Sequence, residues 1–354
     1  MQKRTSRKQR NAPTIGDVAS RAGVSPMTVS RVINGKQVVK PATRERVESA
    51  IAALNYSPSA AARSLAGGEE TRIGLLYGNP SAAFLSEFLV GSLDQATRSG
   101  AALVIEKWDA QAPVAAVVQH LRRSQIAGVI LPPPLCDLEA LVEALTAADI
   151  VAVAVATGRT LPGVSVVGID DRAAARTMTR HLIGLGHRRI GFIAGSPNLN
   201  ASGQRREGYF AALEEAGIAP DAALIAQGDF TYRSGLDAAE QILDLPDPPS
   251  AIFASNDDMA AAAVAVAHRR GLAVPEDVTV CGFDDTALAV TIWPELTTIR
   301  QPIKAMTEAA VELLVREIRD RRDGAPGREP PAQLLLDYRL IRRQSDGPPS
   351  HAAP

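Results

Sequence analysis

Four apolar runs in this 354-residue chain end on hydrogen-bonding side chains. VSVVGID ends on Asp170-Asp171, ALIAQGD on Asp229, AIFASND on Asn256-Asp257 and VTVCGFD on Asp284-Asp285. A carboxylate only accepts hydrogen bonds and a carboxamide both gives and accepts, so such groups gathered in one place suit a ligand rich in hydroxyls. One acidic strand end alone is accounted for by a helix cap, and that reading is preferred for Asp171 and Asp258. Several converging on one side call for a site. No nucleophile elbow or phosphate-binding glycine loop accompanies them, so no enzyme is expected. The histidines, at 120, 181, 187, 268 and 351, show no metal-ligand spacing. His181 and His187 are read as structural, and no cofactor or metal is expected. Cys136 and Cys281 lie far apart in apolar surroundings and are read as buried thiols.

A different chemistry occupies the start of the chain. Residues 1–65 hold twelve Lys/Arg against three Asp/Glu, a net of +9; the remainder holds 26 against 36, a net of -10. A basic head on an acidic body implies that the head meets a polyanion. The bias runs beyond MQKRTSRKQR into patterned sequence at Arg21, Arg31, Lys36, Lys40, Arg44 and Arg46. In SPMTVSRVI, Ser25 can cap a helix and Pro26 suits its first turn. Val29, Val32 and Ile33 then share one face, which leaves Pro26, Met27, Thr28 and Arg31 on the other.

The elements that position these residues follow from periodicity. IGDVASRA (15–22) reads as a helix stopped by Gly23, and the Ser25 helix follows after a tight turn. PATRERVESAIAAL makes a third helix, and the three can share a core of Ile15, Val18, Ala19, Val24, Val29, Val32, Val47 and Leu54. Between Ser57-Pro58 and Gly67-Gly68 lies a segment too short to be a stable helix alone. From Arg72 onward, Val/Ile/Leu runs alternate with helical segments, which indicates parallel sheets covered on both faces.

TIGDVASRAGVSPMTVSRVIN, with TRERVESAIAALNYSPSAAARSLAG after it, resembles the DNA-binding head of the LacI/GalR family of bacterial transcription regulators. The resemblance runs on through about residues 14–343, with a body similar to the periplasmic sugar-binding proteins. It implies an α/β chain: an all-α helix-turn-helix head joined by a hinge helix to a two-lobed periplasmic-binding-protein-like body with open parallel sheets. The expected boundaries are a basic disordered tail (1–13), the helix-turn-helix domain (14–56), the hinge helix and linker (57–68) and the effector-binding and dimerisation domain (69–343). Within the body, lobe 1 is expected at about 72–163 plus 296–325, and lobe 2 at about 164–295 plus 326–343. A disordered tail follows at 344–354.

The resemblance also implies roles. Pro26 and Met27 open the recognition helix and, with Arg31, face base edges. Thr14, Ser25, Thr28, Ser30 and Asn34 lie near the phosphate backbone. Ala62 and Leu65 belong to the hinge helix, where Leu65 wedges into the minor groove. Pro26 offers no side-chain hydrogen bond and Met27 only a weak acceptor, so direct readout rests on apolar contacts and on Arg31. For the effector, the implied residues are Asn79, Ser81 and Phe84 in a first-lobe loop, with Arg205, Phe230, Asn256 and Asp284. Arg205 and Asp284 are expected to face each other across the cleft. Arg, Asn and Asp beside an aromatic suit a neutral polyhydroxylated ring, and acidic strand ends disfavour phosphate, so a sugar is preferred to a purine. The expected protein is a homodimeric, allosteric regulator, a repressor in most of the family with an activator or dual regulator of the same fold as the alternative, that binds a pseudo-palindromic double-stranded DNA operator. Neither a signal-peptide core nor an apolar run of membrane-spanning length occurs, so it is expected in the cytoplasm, at the nucleoid and not in a membrane.

Overall fold

The computed structural model describes residues 13–33, 39–54, 56, 71–78, 81–109, 112–323 and 330–350. The expected hinge (57–68), and with it Ala62 and Leu65, lies outside these residues, as do Asn34 and Asn79. Two compact units result, residues 1–70 and 71–354.

The first unit packs three helices, α1 (Ile15–Ala22), α2 (Pro26–Ile33) and α3 (Pro41–Leu54). Thr14 caps α1 through a capping box: its hydroxyl accepts from the Asp17 amide, and the Asp17 carboxylate takes back the Thr14 amide. Gly23 ends the helix in the left-handed conformation that glycine adopts without strain. Ser25 Oγ accepts from the Thr28 amide at 3.2 Å and so starts α2. Val18, Ala19, Ala22, Val29, Val32, Val47, Ala50 and Tyr56 form the core. Tyr56 is the member that helical spacing misses, because it follows the last turn of α3.

The second unit contains two parallel sheets. β1 (Thr71–Tyr77), β2 (Ala101–Lys107), β3 (Gly128–Leu131), β4 (Val151–Val155), β5 (Ser165–Gly168) and β11 (Gln333–Leu335) form one sheet in the order β11-β5-β4-β3-β1-β2. β6 (Ile190–Ala194), β7 (Ile225–Gln227), β8 (Ala251–Ala254) and β9 (Thr279–Cys281) form the other in the order β7-β6-β8-β9. Every residue of β3, β4, β5, β6 and β8 is buried, as continuous apolar runs in a covered parallel sheet require. The crossovers of the first sheet are α4 (Ala82–Ser99), α5 (Val114–Arg123) and α6 (Glu139–Ala147). α7 (Asp171–Gly184) leads from β5 of the first sheet to β6 of the second, whose own crossovers are α8 (Asn200–Glu215), α9 (Tyr232–Leu243) and α10 (Asp257–Arg269). After the short α11 (Leu288–Thr291) and β10 (Thr298–Arg300), the long α12 (Ile303–Arg322) returns to pack on α4 and on the first sheet.

Three expectations about the lobes are corrected. VSVVGID does not open the second lobe: β5 pairs with β4 and closes the first sheet. QLLLDYRL, within the expected 326–343 segment of lobe 2, does not lie wholly in that lobe, because Leu336 to Tyr338 separate it into two strands. Its first half, β11, joins the first sheet beside β5, and its second half, β12 (Arg339–Ile341), pairs antiparallel with β10. Residues 297–299 belong with the second sheet, since the Gly282 and Asp284 amides donate to Thr297 and Ile299 carbonyls.

Residues 344–350 are ordered rather than a loose tail. Ser345 is fully buried, its Oγ donating to the Val280 carbonyl at 2.6 Å and accepting from the Thr297 amide at 2.8 Å. Asp346 pairs with His181 at 2.7 Å. His187 is buried with Nε2 2.9 Å from the Gly347 carbonyl oxygen. Composition suggests a tail there, but Ser345 and Asp346 answer polar groups that β9, β10 and α7 leave inside.

α7 and α8 meet at Gly208, where an added Cβ would run into the Arg172 carbonyl oxygen and lie 2.9 Å from the Arg176 amide nitrogen. Alanine is normally the better helix former by about 1 kcal/mol. Here the sign reverses: Gly208→Ala should destabilise the body by about 1–3 kcal/mol through overpacking, read as a lower urea midpoint at unchanged slope.

Candidate effector site and DNA-facing surface

Open parallel sheets bind ligands outside the carboxyl ends of their strands, where the order reverses. In both sheets of the body the first strand to be made lies inside the order, so both have such a point. A cavity of about 40 Å³ lies there, walled by residues that follow β1, β3 and β4 on one side and β6, β7, β8 and β9 on the other. Phe84, Pro133, Ala156, Leu199 and Ala201 make its apolar wall; Ser81, Arg205, Asn256, Asp284 and Gln301 supply polar groups, and Phe230 lies beside them. The space holds only a few water molecules, so a larger guest requires the lobes to part.

Arg205, on α8, is 4% exposed. Its Nε donates to Asp171 Oδ1 at 2.8 Å and its Nη1 to the Ser255 carbonyl at 2.6 Å, with Asp284 Oδ1 at 3.6 Å. The guanidinium carbon lies 3.7 Å from the Phe283 ring centroid and 5.8 Å from that of Phe230. A planar cation can be stacked and forked at once. Arg205 and Asp284 therefore do not face each other across the cleft. Both belong to the second lobe and are already paired, because α8 and the end of β9 flank the same sheet.

Asp284 adopts a φ of 114°, outside the ordinary range for a residue with a side chain. Its Oδ1 accepts from Gln301 Nε2 at 2.5 Å. Burial pushes the Asp284 carboxyl up to about 7; Arg205 and Gln301 pull it back, while Asp258 and Asp171 add to the rise. Burial likewise raises Asp171, against the pull of Arg205. Asn256 caps α10 by accepting from the Met259 amide at 3.0 Å, and its Nδ2 donates to the Phe230 carbonyl at 3.0 Å. Phe230 sits at a φ of 71°, its ring over Gly195. Ser81 caps α4 and donates from Oγ to Asp258 Oδ2 at 2.6 Å, joining the lobes.

The acidic strand ends thus divide. Asn256 and Asp284 line the cavity, whereas Asp229 is exposed and closes its own turn through Thr231. Asp171 is no cap: Asp170 caps α7, accepting from the Ala173 amide at 2.8 Å, and Asp171 holds Arg205. Asp257 is buried on the Thr286 amide and the Thr298 hydroxyl. Asp285 pairs with Arg300 and Arg343 at 2.5 and 2.6 Å. Sequence reasoning missed Pro133, Ala156, Leu199 and Ala201, which carry no polar signal, and Gln301, whose buried Oε1 has no hydrogen-bond partner among the described residues.

On the head, Val29 and Val32 face inward, while Pro26, Met27 and Arg31 are exposed, Met27 at 63%. Thr14 and Ser25 are exposed, and Thr28 and Ser30 half-buried.

Comparison with known proteins adds two family matches: bacterial regulatory proteins of the lacI family over residues 14–59, and a periplasmic binding protein-like domain over 179–345. The chain is 36% identical over 344 residues to the HTH-type transcriptional repressor PurR of Escherichia coli, covering 95% of this chain and 98% of that one. The chain belongs to the LacI family. It is 34% identical over 305 residues to catabolite control protein A of Priestia megaterium, covering 86% and 92% of the two chains. Among solved structures it matches a complex of the transcriptional regulator CelR with cellobiose, at 33% identity and a TM-score of 0.71 over 94% of this chain and 100% of that one. It also matches the lac repressor dimer bound to operator and the anti-inducer ONPF, at 29% identity and a TM-score of 0.79 over 95% and 99%. This LacI-family chain is a DNA-binding transcriptional regulator with an effector-binding body, and its relatives are regulators, not enzymes.

A raised carboxyl pKa links stability to pH. Because folded Asp284 titrates near 7 and the free side chain near 3.8, the folded state holds the proton longer. Its contribution is fully present below about pH 4 and lost as pH rises through about 7. Asp284→Asn should flatten the fall in stability between those values, measured by denaturant titration at several pH values.

Proposed function

We propose that this protein is a homodimeric repressor whose operator affinity is set by a small, neutral carbohydrate held between the lobes. The carrying observation is the cavity at the carboxyl ends of both sheets, where buried Arg205 and Asp284, with Asn256 and Gln301, face an apolar wall. Such a set orients hydroxyls through fixed donors and acceptors while the carbon face of a ring lies on Phe84 and Phe230. The acidic surroundings disfavour phosphate. The relative solved with cellobiose supports a sugar. No catalytic role is proposed, since Asp171, Asp257 and Asp285 are all committed to bonds within the lobe. Asn79 and Ser81 are assigned to the same site.

The head is assigned to the major groove of a pseudo-palindrome of about 14–20 base pairs, one half-site per protomer. Pro26, Met27 and Arg31 face the bases there, and Thr14, Ser25, Thr28, Ser30 and Asn34 the phosphates. The hinge residues Ala62 and Leu65 are assigned to the minor groove. Its place is the cytoplasm, on nucleoid DNA. Homodimerisation is supported by apolar side chains left exposed on the body: Val90 and Leu93 on α4 at 49% and 47%, and Trp293 at 76%.

Three measurements test this reading. Arg31→Ala should weaken operator binding by about 1–3 kcal/mol and relax the preference at one base pair, seen in gel-shift competition against random DNA. Arg205→Lys keeps a cation beside Asp171 but loses the fork; calorimetry against a panel of sugars should show effector affinity down by about tenfold or more with operator binding retained. An unchanged affinity would remove Arg205 from the site. Leu93→Glu should sediment as a monomer where the parent sediments as a dimer.

A further inference from the structure

α8 carries three residues of the cavity wall or its edge, Leu199, Ala201 and Arg205, yet its own N-terminus is not capped from within. The residue at the cap position is Leu199, whose side chain has no hydrogen-bonding group to offer. The first amides of a helix have no partner inside it and carry its positive end. The group that answers them comes from the other lobe. Asp137 closes the turn of 3-10 helix Leu135–Asp137 that follows β3 of the first sheet. Its Oδ2 accepts from the Asn200 backbone amide at 3.1 Å, and its Oδ1 accepts from Asn200 Nδ2 at 2.6 Å.

We propose that Asp137 is a positioning residue: a cap supplied by the first lobe to α8 of the second, so that the wall bearing Arg205 is completed only when the lobes close. The carboxylate is held on its own side. Thr157, just beyond β4, donates from Oγ1 to Asp137 Oδ1 at 2.6 Å, and Arg159 Nε lies 3.9 Å away. The Asp137 side chain is only 2% exposed, so water cannot substitute for its partners while the lobes are together. Gly158 lets the crossing chain lie flat against the helix start; a Cβ there would lie 3.3 Å from the Ala201 amide nitrogen. Asp137 does not line the cavity, so it acts on the effector through α8 rather than by contact. When the lobes part, Thr157 and Arg159 keep the carboxylate aimed and α8 loses its cap, which loosens the first turn next to Arg205. Closure and the ordering of the wall become one event.

The consequence for regulation rests on the effector reading of the cavity, but the structural coupling needs no effector to be tested. Hydrogen exchange of the Ala201 to Gln204 amides in ligand-free, full-length protein is the readout. Asp137→Ala should speed it about 3- to 30-fold, the equivalent of a lost cap, while α10, capped within its own lobe by Asn256, stays unchanged. Asn200→Asp sets two carboxylates together and should do the same. The exchanged pair Asp137→Asn with Asn200→Asp restores one donor and one acceptor on each bond, and should return exchange close to the parent value. Small-angle scattering should show the single variants expanded and the exchanged pair compact. Unchanged exchange in both single variants, or an exchanged pair as fast as Asn200→Asp alone, would overturn the proposal. If Asp137→Ala does not fold, the comparison of Asn200→Asp with the exchanged pair decides it alone. Normal cap behaviour together with no binding of any sugar would sink the carbohydrate reading and leave the cap standing.

Discussion

A single buried cation organises the second lobe. Arg205 has almost no access to water, and an arginine does not shed its proton inside a protein, so everything near it must be arranged to hold the charge. Asp171 meets it from the start of α7, the Ser255 carbonyl from the end of β8, Asp284 from beyond β9, and the Phe283 ring lies under it. These groups come from distant parts of the chain: the second sheet delivers its strand ends to one edge, and Asp171 joins them from the helix that leads in from β5 of the first sheet. Removing the cation would take from buried Asp171 its ion partner and leave Asp284 only Gln301, a cost of several kcal/mol. The site is therefore not an ornament on a finished lobe; its charges are part of what closes the lobe's top.

The same edge is where helices begin, and their unpaired amides are the second shared constraint. Asp170, Ser81 and Asn256 each answer one from immediately before the helix. Ser81 also donates to Asp258 of the opposite lobe, so one hydroxyl both starts α4 and joins the two halves. Caps placed at a cleft do double duty in this way: they shape the cavity rim and make its geometry sensitive to the separation of the lobes.

The head was legible almost residue by residue because each of its signals is local. Thr14 with Asp17, Gly23, Ser25 with Pro26 and the valine spacing all act within a turn or two. Tyr56 was not, since its burial depends on how α3 ends. In the body, the alternation of apolar runs and helices revealed parallel sheets, but not which sheet each strand joins. β5 and β11 were misassigned because an all-apolar strand carries no mark of its neighbour; pairing is decided by the connections around it. At the site, polar strand ends pointed to Asn256 and Asp284. They pointed equally to Asp229, which turns away, and they could not show that Arg205 and Asp284 share a lobe. Of the apolar wall only Phe84 was named; Pro133, Ala156, Leu199 and Ala201 left no trace, because nothing in an alanine, a proline or a leucine distinguishes a cavity lining from a core.

The strand β11 and the strap at residues 344–350 follow most of both lobes in the sequence, yet β11 joins a sheet begun far earlier and the strap bonds to β9 of the other. During synthesis the three-helix head emerges before the body and has every residue of its core by Tyr56. The first sheet lacks β11 until that strand has left the ribosome, and His181, the Thr297 amide and His187 Nε2 wait for Asp346, Ser345 and Gly347. For most of its translation the nascent polypeptide is thus a finished DNA-reading module trailing an unfinished control module. A message cut short between Tyr56 and Ser345 would yield that same half-built product as its final one.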